Sequence, residues 1–214
     1  MPKVSHNFDE IYSELYDPLG TGVVIAKACI DEVSVAGIKD ELDASRRNFV
    51  PRPYNYGTTV QGLSSWDFER AVMDNYTHLA QLNNFYESMS RELHNRMSTA
   101  FYFDDVKVNA SYYPAGSVGI GPHRDNTFSV NFIAIFVISG CNAFVTARDK
   151  DALSEVAYEV VPGDCILMRG PRSVQEKNLR PIHYVKRIEA DRHIVTFREV
   201  NRGLLERTKN IYNL

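Results

Sequence analysis

Two residues of the tripeptide His123-Arg124-Asp125 have side chains that can bind a metal ion. Side chains alternate between the two sides of an extended segment, so the imidazole of His123 and the carboxylate of Asp125 face the same way. Such a pair supplies two ligands of the two-histidine, one-carboxylate triad, which holds Fe(II) and leaves positions open for substrate and oxygen. A surface turn with a charge pair has the same sequence, so the prediction of an iron site depends on a second histidine further along the chain.

The second histidine is predicted to be His183, which stands at the start of a β-rich segment. His193 is the alternative, but it lies on the opposite face of its strand from Arg192 and Arg198. If these two arginines face the interior of a barrel, His193 faces outward. An ordinary structural histidine is the other interpretation of His183.

The last β-rich segment places Arg192, Ile194, Thr196 and Arg198 on one face. Two guanidinium groups on one inward face repel each other unless an anion lies near them, and arginine binds carboxylates through paired hydrogen bonds. 2-Oxoglutarate has a carboxylate at each end and would fit between two such groups. The pattern therefore predicts 2-oxoglutarate as a co-substrate. The alternative is that both arginines face solvent.

The first half of the chain is predicted to contain the helices that support this site. Residues 22–29 form an apolar run typical of a strand, and residues 31–45 are typical of a helix whose first residue is the N-cap. Residues 48–62 are rich in Pro, Tyr, Asn and Gly, which indicates a loop or an irregular hairpin. Apolar residues then recur at helical spacing over residues 66–98, with a break predicted near residues 83–84.

After residue 102, short β-rich runs follow one another with turn signals between them. They cover residues 106–113, 117–125, 128–138, 142–148, 157–161, 165–169, 182–188 and 193–200. Eight such strands after two helices predict an α+β, mainly β protein, built as a double-stranded β-helix of the jelly-roll or cupin type with N-terminal supporting helices. We expect a single domain over residues 1–214, with helical support and a substrate lid in 1–105 and the catalytic core in 106–202.

Composition and charge exclude several classes of protein. Hydrophobic residues make up 44% of the 214 residues, which is enough for a full core, so disorder is not indicated. No apolar run reaches membrane-spanning length, and three widely spaced cysteines predict reduced thiols in a cytoplasmic protein. Residues 1–106 have 9 basic and 16 acidic side chains, whereas residues 107–214 have 15 and 11. The basic second half would suit an anionic substrate or co-substrate. The oligomeric state stays open.

Three segments together resemble the AlkB-like branch of the Fe(II)/2-oxoglutarate dioxygenases. They are residues 113–125 (YPAGSVGIGPHRD), 163–170 (GDCILMRG) and 192–198 (RHIVTFR). The resemblance covers about residues 106–202. It implies an enzyme that uses Fe(II), 2-oxoglutarate and O2.

The resemblance also implies roles for individual residues. Arg192, helped by Tyr113, would pair with the distal carboxylate of 2-oxoglutarate, and Arg198 would lie near its keto-acid end. The implied iron ligands are His123, Asp125 and His183. The implied co-substrate site is completed by Asn109, Ser111 and Thr196. In halogenating relatives a small residue replaces the carboxylate ligand, so the intact aspartate favours hydroxylation or a related oxidation.

The chain departs from the nucleic-acid-acting members of that branch at two places. Those members have an asparagine two residues before the tyrosine, whereas this chain has Ser111 there and Asn109 two residues further back. They also have acidic residues after the His-x-Asp, whereas Asn126 and Thr127 follow it here. The second difference and the acidic first half of the chain favour a small-molecule substrate.

Several side chains are candidates for substrate contacts. Arg52, Tyr54 and Tyr56 lie in the 48–62 segment, where aromatic rings could stack on a planar substrate. A packed surface loop is the alternative interpretation of that segment. The other candidates are Asn126, Arg169 and Arg172.

The function predicted from these observations is oxidation of a C–H bond in a small-molecule substrate, such as a natural-product intermediate or a nucleotide. The basic second half and the Tyr113 motif favour an alternative, oxidative demethylation or hydroxylation of nucleic-acid bases. A catalytically silent β-helix that only binds a ligand is a second alternative. It is less favoured because all three metal-binding side chains and both arginines are present. No membrane partner is expected.

Overall fold

The computed structural model describes residues 7–52, 54–56, 59–98, 100–147, 154–172, 179–204 and 206, without the side chains of 54–56, 59 and 60. The helices are α1 (Phe8–Tyr16), α2 (Glu32–Ala44), α3 (Arg70–Met73) and α4 (Thr77–His94), and a 3-10 turn covers Arg46–Asn48. The strands are β1 (Val23–Ala26), β2 (Val50–Pro51), β3 (Tyr54–Tyr56), β4 (Thr59–Gln61), β5 (Ser64–Phe68), β6 (Asp105–Tyr113), β7 (Ile120–His123), β8 (Ser129–Val137), β9 (Asn142–Ala147), β10 (Val156–Val160), β11 (Cys165–Arg169), β12 (Ile182–Val185) and β13 (Arg192–Val200).

Two antiparallel sheets form a double-stranded β-helix, which confirms the predicted fold class. The seven-stranded sheet has the order β1-β11-β8-β13-β6-β5-β2, and the six-stranded sheet has the order β10-β9-β12-β7-β4-β3. All the β-rich runs predicted after residue 102 are strands. The first half of the chain also contributes to the sheets, because β1, β2 and β5 extend the larger sheet and β3 and β4 extend the smaller one.

The central strand β8 is buried on both faces, which explains its almost continuous apolar sequence. Phe132 and Phe136 belong to a core between the larger sheet and helices α1, α2 and α4. Ile133 and Ile135, which point the other way, belong to a second core inside the barrel. The larger sheet therefore has helices on its outer face and the candidate site on its inner face.

Successive side chains of strand β13 point alternately into the barrel and toward the helices. Arg192 and Arg198 line an interior cavity. Glu199 is fully buried on the helical side, where it accepts hydrogen bonds from Ser90 Oγ at 2.9 Å and Asn131 Nδ2 at 2.8 Å. These bonds connect α4 and β8 to the strand that carries the arginines.

The prediction of a helix over residues 66–98 is wrong at its N-terminal end, and the break predicted near residues 83–84 is wrong as well. Trp66 and Phe68 lie in β5, where alternation along a strand replaces helical spacing. Helix α4 passes through Asn83 without interruption, and the Asn83 side chain accepts a hydrogen bond of 2.9 Å from Arg70 Nε. The chain bends instead between α3 and α4. Asp31 caps α2 as predicted, its side chain accepting from the Ser34 amide at 2.9 Å.

The described part of the chain has no helix with the length and apolar composition that a membrane crossing requires.

His193 faces the helical side of β13 and is 2% exposed. Its Nδ1 lies 3.0 Å from Ser139 Oγ, and its Nε2 lies 3.4 Å from Asp43 Oδ1 and 3.3 Å from Arg46 Nη1. Burial lowers the pKa of His193 to about 4, although the nearby Asp43 carboxylate favours the charged imidazole. The imidazole is therefore neutral in the folded protein at neutral pH.

This depressed pKa predicts a loss of stability in mild acid. An unfolded histidine takes up its proton near pH 6.5, so the contribution of His193 is complete above pH 6.5 and decreases as the pH falls toward 4. Between pH 7.5 and 5, the free energy of unfolding should decrease by about 1 to 2 kcal/mol more in the wild type than in His193→Gln. Urea unfolding at the two pH values measures this difference. Equal decreases in both proteins would contradict the assignment.

Candidate metal centre and cavity

Three side chains that can bind a metal ion meet at one end of an interior cavity. His123 ends β7, Asp125 follows two residues later, and His183 lies on β12 directly opposite His123. Their donor atoms all lie within 4.8 Å of one another, and the two imidazole centroids are 4.2 Å apart. Residues 60 positions apart are thus brought together by the pairing of two short strands.

A glycine allows these strands to approach closely. Gly119, just before β7, has a φ of +75°, a conformation that side chains rarely adopt. A Cβ atom at this position would overlap the carbonyl oxygen of Val185 at the end of β12. The close approach of the strands at Gly119 helps to place His123 beside His183.

Backbone contacts orient both imidazoles toward the cluster. His123 Nδ1 lies 2.9 Å from the Gly121 carbonyl oxygen, and His183 Nδ1 lies 3.3 Å from the Pro181 carbonyl oxygen. A carbonyl oxygen only accepts hydrogen bonds, so Nδ1 carries the proton in each ring. Each Nε2 then has a free lone pair, which is the arrangement that metal-binding histidines usually have.

The electrostatic surroundings keep the cluster in its metal-binding protonation state. Burial opposes ionisation of Asp125, but the Arg198 guanidinium and the two imidazoles lower its pKa to about 2. Burial, with His123 nearby, lowers the pKa of His183 to about 3. Near neutral pH, Asp125 is a carboxylate and His183 is neutral, the forms that metal ions require.

The donor set fits Fe(II). Two imidazole nitrogens and one carboxylate match the facial triad, which leaves three coordination positions for other ligands. Asp125 Oδ2 is buried and has no hydrogen-bond partner within the described structure, while Arg198 Nε lies 3.6 Å from it. A buried carboxylate oxygen without a hydrogen bond is costly unless a cation compensates it.

The cavity has a volume of about 340 Å³ and reaches from this cluster to Arg192. Arg192 is 1% exposed, and its Nε and Nη1 atoms have no hydrogen-bond partner in the described part of the chain. The ring of Tyr113, its partner residue on β6, lies 5.9 Å from the guanidinium carbon. The surrounding walls are apolar and include Ile135, Ile166 and Phe144. A buried, unpaired guanidinium in such a pocket is suited to binding an anion.

The remaining predicted co-substrate residues line the same cavity. Arg198 Nη1 donates a hydrogen bond to Asn109 Oδ1, and Asn109 Nδ2 donates to Ser111 Oγ at 3.0 Å. Thr196 is buried beside Asn109, which is its partner in the register of β13 with β6. These side chains form a polar strip on the inner face of the larger sheet.

Three of the six predicted substrate residues are arginines, and they lie in different places. Arg52 lines the cavity, whereas Arg169 and Arg172 do not. Arg169 donates to backbone carbonyls of Leu179 and Asp17, and Arg172 donates to Tyr12.

Three predicted substrate residues remain. Asn126 is exposed and lies outside the cavity lining. Tyr54 and Tyr56 belong to β3, but their side chains lie outside the described part of the structure.

Sequence reasoning missed a group of polar side chains at the cavity mouth. Gln61, Ser65 and Asp67 all line the cavity. Ser65 stands just before the segment predicted as a helix, and Asp67 lies at its start, so the helical prediction obscures their alternation on the inward face. The signal was present in the sequence Ser64-Ser-Trp-Asp-Phe, where polar and aromatic residues alternate as in a half-buried strand.

No protein-family model and no curated protein sequence matches the chain. Solved structures do match. A prolyl hydroxylase from Trichoplax adhaerens, in complex with a hypoxia inducible factor peptide fragment, has a TM-score of 0.70 at 12% identity, covering 92% of each chain. A Pseudomonas putida prolyl-4-hydroxylase has a TM-score of 0.70 at 12% identity, covering 91% of this chain and 99% of that one. A 2OG-Fe(II) oxygenase family protein from Burkholderia pseudomallei has a TM-score of 0.58 at 14% identity, covering 91% of each.

The fold is therefore the double-stranded β-helix that these 2-oxoglutarate- and Fe(II)-dependent oxygenases share. At 12 to 14% identity the likeness is one of fold.

Proposed function

We propose that the protein is an Fe(II)- and 2-oxoglutarate-dependent oxygenase that oxidises a C–H bond of a small molecule. The observation that carries this proposal is the combination of two features in one cavity. The cluster of His123, Asp125 and His183 lies at one end, and the unpaired, buried guanidinium of Arg192 lies further in. A metal site alone would fit many reactions, whereas a metal site with a buried anion site fits a keto-acid co-substrate.

Each part of the cavity has a role in this proposal. His123, Asp125 and His183 would hold Fe(II), which supplies the chemistry that couples O2 to oxidation of an unactivated C–H bond. Arg192 would bind the distal carboxylate of 2-oxoglutarate through charge-assisted hydrogen bonds, with the Tyr113 hydroxyl beside it. Apolar walls would exclude water from this ion pair and strengthen it.

The other polar side chains would act at the keto-acid end. Arg198 keeps Asp125 ionised and is held by Asn109, so it would neutralise charge beside the metal. Ser111 and Thr196 would offer hydroxyl groups to the co-substrate. In the net reaction, 2-oxoglutarate, O2 and R–H give succinate, CO2 and R–OH, so one oxygen atom of O2 enters succinate and the other enters R–OH.

A small-molecule substrate is supported by the size and lining of the cavity. Its volume of about 340 Å³ lies at the lower end of the usual range for ligand pockets. This volume has to accommodate the co-substrate as well as the substrate. The mouth is polar and includes Arg52, Gln61 and Asp67. A compact polar molecule fits this space. The three cysteines are free, which supports a reducing, cytoplasmic location.

A nucleic-acid base is the second candidate substrate. It is favoured by the AlkB-like spacing of Arg192 and Arg198 and by the position of Tyr113 beside Arg192. In this candidate the enzyme would oxidise a methyl group on a base, and the basic second half of the chain would contact the phosphate backbone.

Succinate release from 2-oxoglutarate tests the proposal. The purified protein, supplied with Fe(II) and O2, should form succinate at a slow background rate that a metal chelator stops. A methylated single-stranded oligonucleotide should leave the rate unchanged if the substrate is a small molecule. Stimulation with loss of the methyl group would favour the second candidate. Absence of succinate from protein shown to contain iron would instead indicate a silent binding module.

A further inference from the structure

An ion pair of opposite charges stands at the mouth of the cavity. Arg52 Nη2 lies 3.0 Å from Asp67 Oδ2, and the two side chains are 51% and 65% exposed. Both residues line the cavity that holds the candidate metal ligands. Exposed ion pairs contribute little to stability, so the partners can separate at a small energetic cost.

Arg52 is held in place by more than this ion pair. Its backbone amide donates to the Leu63 carbonyl oxygen at 2.9 Å, and its own carbonyl oxygen accepts from Gln61 Nε2 at 2.8 Å. Its Nε atom lies 3.3 Å from Ser65 Oγ. The guanidinium is therefore oriented toward the cavity before any ligand arrives, which reduces the entropy cost of binding.

A polar path leads from this ion pair to the metal site. Asp67 on β5 pairs in register with Asn109 on β6, which pairs with Thr196 on β13. Asn109 accepts from Arg198, and Arg198 lies against Asp125. Adjacent strands are about 4.8 Å apart, so Asp67 lies roughly 10 Å across the sheet from β13. A molecule bound at the mouth by its charged end can reach the metal site with an extended side chain.

We propose that the substrate is a free α-amino acid, bound by its two charged groups at Arg52 and Asp67. The inference rests on the proposed oxygenase function and names its substrate class. The carboxylate of the amino acid would pair with Arg52, its ammonium group would pair with Asp67, and its side chain would extend past Asn109 toward the metal site. An α-amino acid has its opposite charges on one carbon atom, which matches two opposite protein charges in direct contact.

Charge balance distinguishes this class from its competitors. A zwitterion exchanges one protein ion pair for two, and no charge is left without a partner. A simple carboxylate would pair with Arg52 but leave Asp67 without its guanidinium, and a simple amine would do the reverse. A substrate that covers the mouth displaces water from both groups, so a charged group left without a partner under it costs binding free energy. An uncharged molecule would form no ion pair with either group.

A substrate panel tests the proposal. The protein, supplied with Fe(II), 2-oxoglutarate and O2, is assayed for succinate release with each of the twenty common L-amino acids. At least one amino acid should raise the rate about tenfold or more above background, as expected when charged hydrogen bonds position a substrate. The matching amine without the carboxylate, and the matching acid without the amine, should each fail to do so. Equal stimulation by either of these would overturn the proposal, and so would no stimulation by any amino acid in protein that does form succinate from 2-oxoglutarate.

Variants identify the binding residues. Arg52→Gln and Asp67→Asn should each weaken binding of the stimulating amino acid by about tenfold or more, because each removes one charged partner. Arg202→Gln and Asp105→Asn are matched controls, since that ion pair also has a length of 3.0 Å but lies outside the cavity lining. The controls should bind the amino acid as the wild type does. Unchanged binding in Arg52→Gln and Asp67→Asn would contradict the assignment.

Calorimetry without iron separates this inference from the proposed function. Arg52 and Asp67 are present without the metal, so each of the twenty amino acids can be titrated into the metal-free protein. Binding that is lost in Asp67→Asn would support the amino-acid site even if no succinate is formed, and only the oxygenase proposal would then fail. Succinate release stimulated by the methylated oligonucleotide, with no binding of amino acids, would support the oxygenase and overturn the amino-acid site.

Discussion

His123→Ala and His183→Ala should each lose iron-dependent succinate release while the barrel stays folded. Each change removes one of three donors that lie within 4.8 Å of one another. Loss of even an outer partner of a metal ligand costs about 10- to 100-fold in affinity or activity, so loss of a ligand should cost at least about 100-fold. The sheets should persist because the two hydrophobic cores do not depend on these imidazoles.

Iron content and folding are measured separately to interpret the loss. The variants should retain less iron than the wild type after anaerobic dialysis, and circular dichroism should show unchanged strand content. His193→Gln is the matched control, because this buried histidine also lies on a barrel strand but faces the helices. It should keep both iron and activity at neutral pH. Succinate release at the wild-type rate in His123→Ala or His183→Ala would overturn the site.

Arg192→Met should weaken 2-oxoglutarate binding and at the same time stabilise the ligand-free protein. Truncating one partner of a buried charge pair costs about 2 to 5 kcal/mol, and about 1.4 kcal/mol corresponds to tenfold, so the apparent KM for 2-oxoglutarate should rise by about 30-fold or more. Arg192 is 1% exposed, and two of its guanidinium nitrogens have no hydrogen-bond partner among the residues that the structure describes. Replacing it with an apolar side chain of similar length removes that desolvation cost, which is on the order of 1 to 3 kcal/mol.

Thermal unfolding with and without 2-oxoglutarate measures both effects. The wild type should be stabilised by the ligand through mass action, and Arg192→Met should start from a higher unfolding temperature and gain little. Arg169→Met is the matched control, because Arg169 is also buried but donates hydrogen bonds to the carbonyls of Leu179 at 3.0 Å and Asp17 at 2.9 Å. Its loss should lower stability. A destabilised Arg192→Met that binds 2-oxoglutarate normally would show that Arg192 is structural.

The two arginines are both buried, but their replacement by methionine is expected to change the stability in opposite directions. In the described part of the chain, Arg169 has protein acceptors for its Nε and Nη1 atoms, whereas Arg192 has none for the same two atoms. The sequence makes Arg169 a candidate substrate contact because its guanidinium could bind an anionic substrate near the expected mouth of the site. Its partners are backbone carbonyls of residues far away in the chain, which no local pattern indicates.

The strands that carry the candidate metal ligands and the two cavity arginines could be predicted from local sequence because strands have a period of two residues. The alternation on β13 separates Arg192 and Arg198 from His193 and Glu199 without any knowledge of the partner strands. The continuous apolar run of β8 likewise predicts its burial on both faces. The same rule failed at β5, where Trp66 and Phe68 also satisfied helical spacing over a few residues. Short apolar runs do not distinguish the two periods.

Side-chain type and strand alternation, which are local, are enough to predict the candidate metal ligands, the inward face of the last strand and the class of fold. Contacts between distant segments show that two Arg192 nitrogens in the cavity have no partner among the described residues, and that Arg52 meets Asp67 at the cavity mouth. Those contacts depend on the register between strands distant in sequence, such as β5 with β6 and β6 with β13. That register is set by the packing of the whole sheet and not by any one segment.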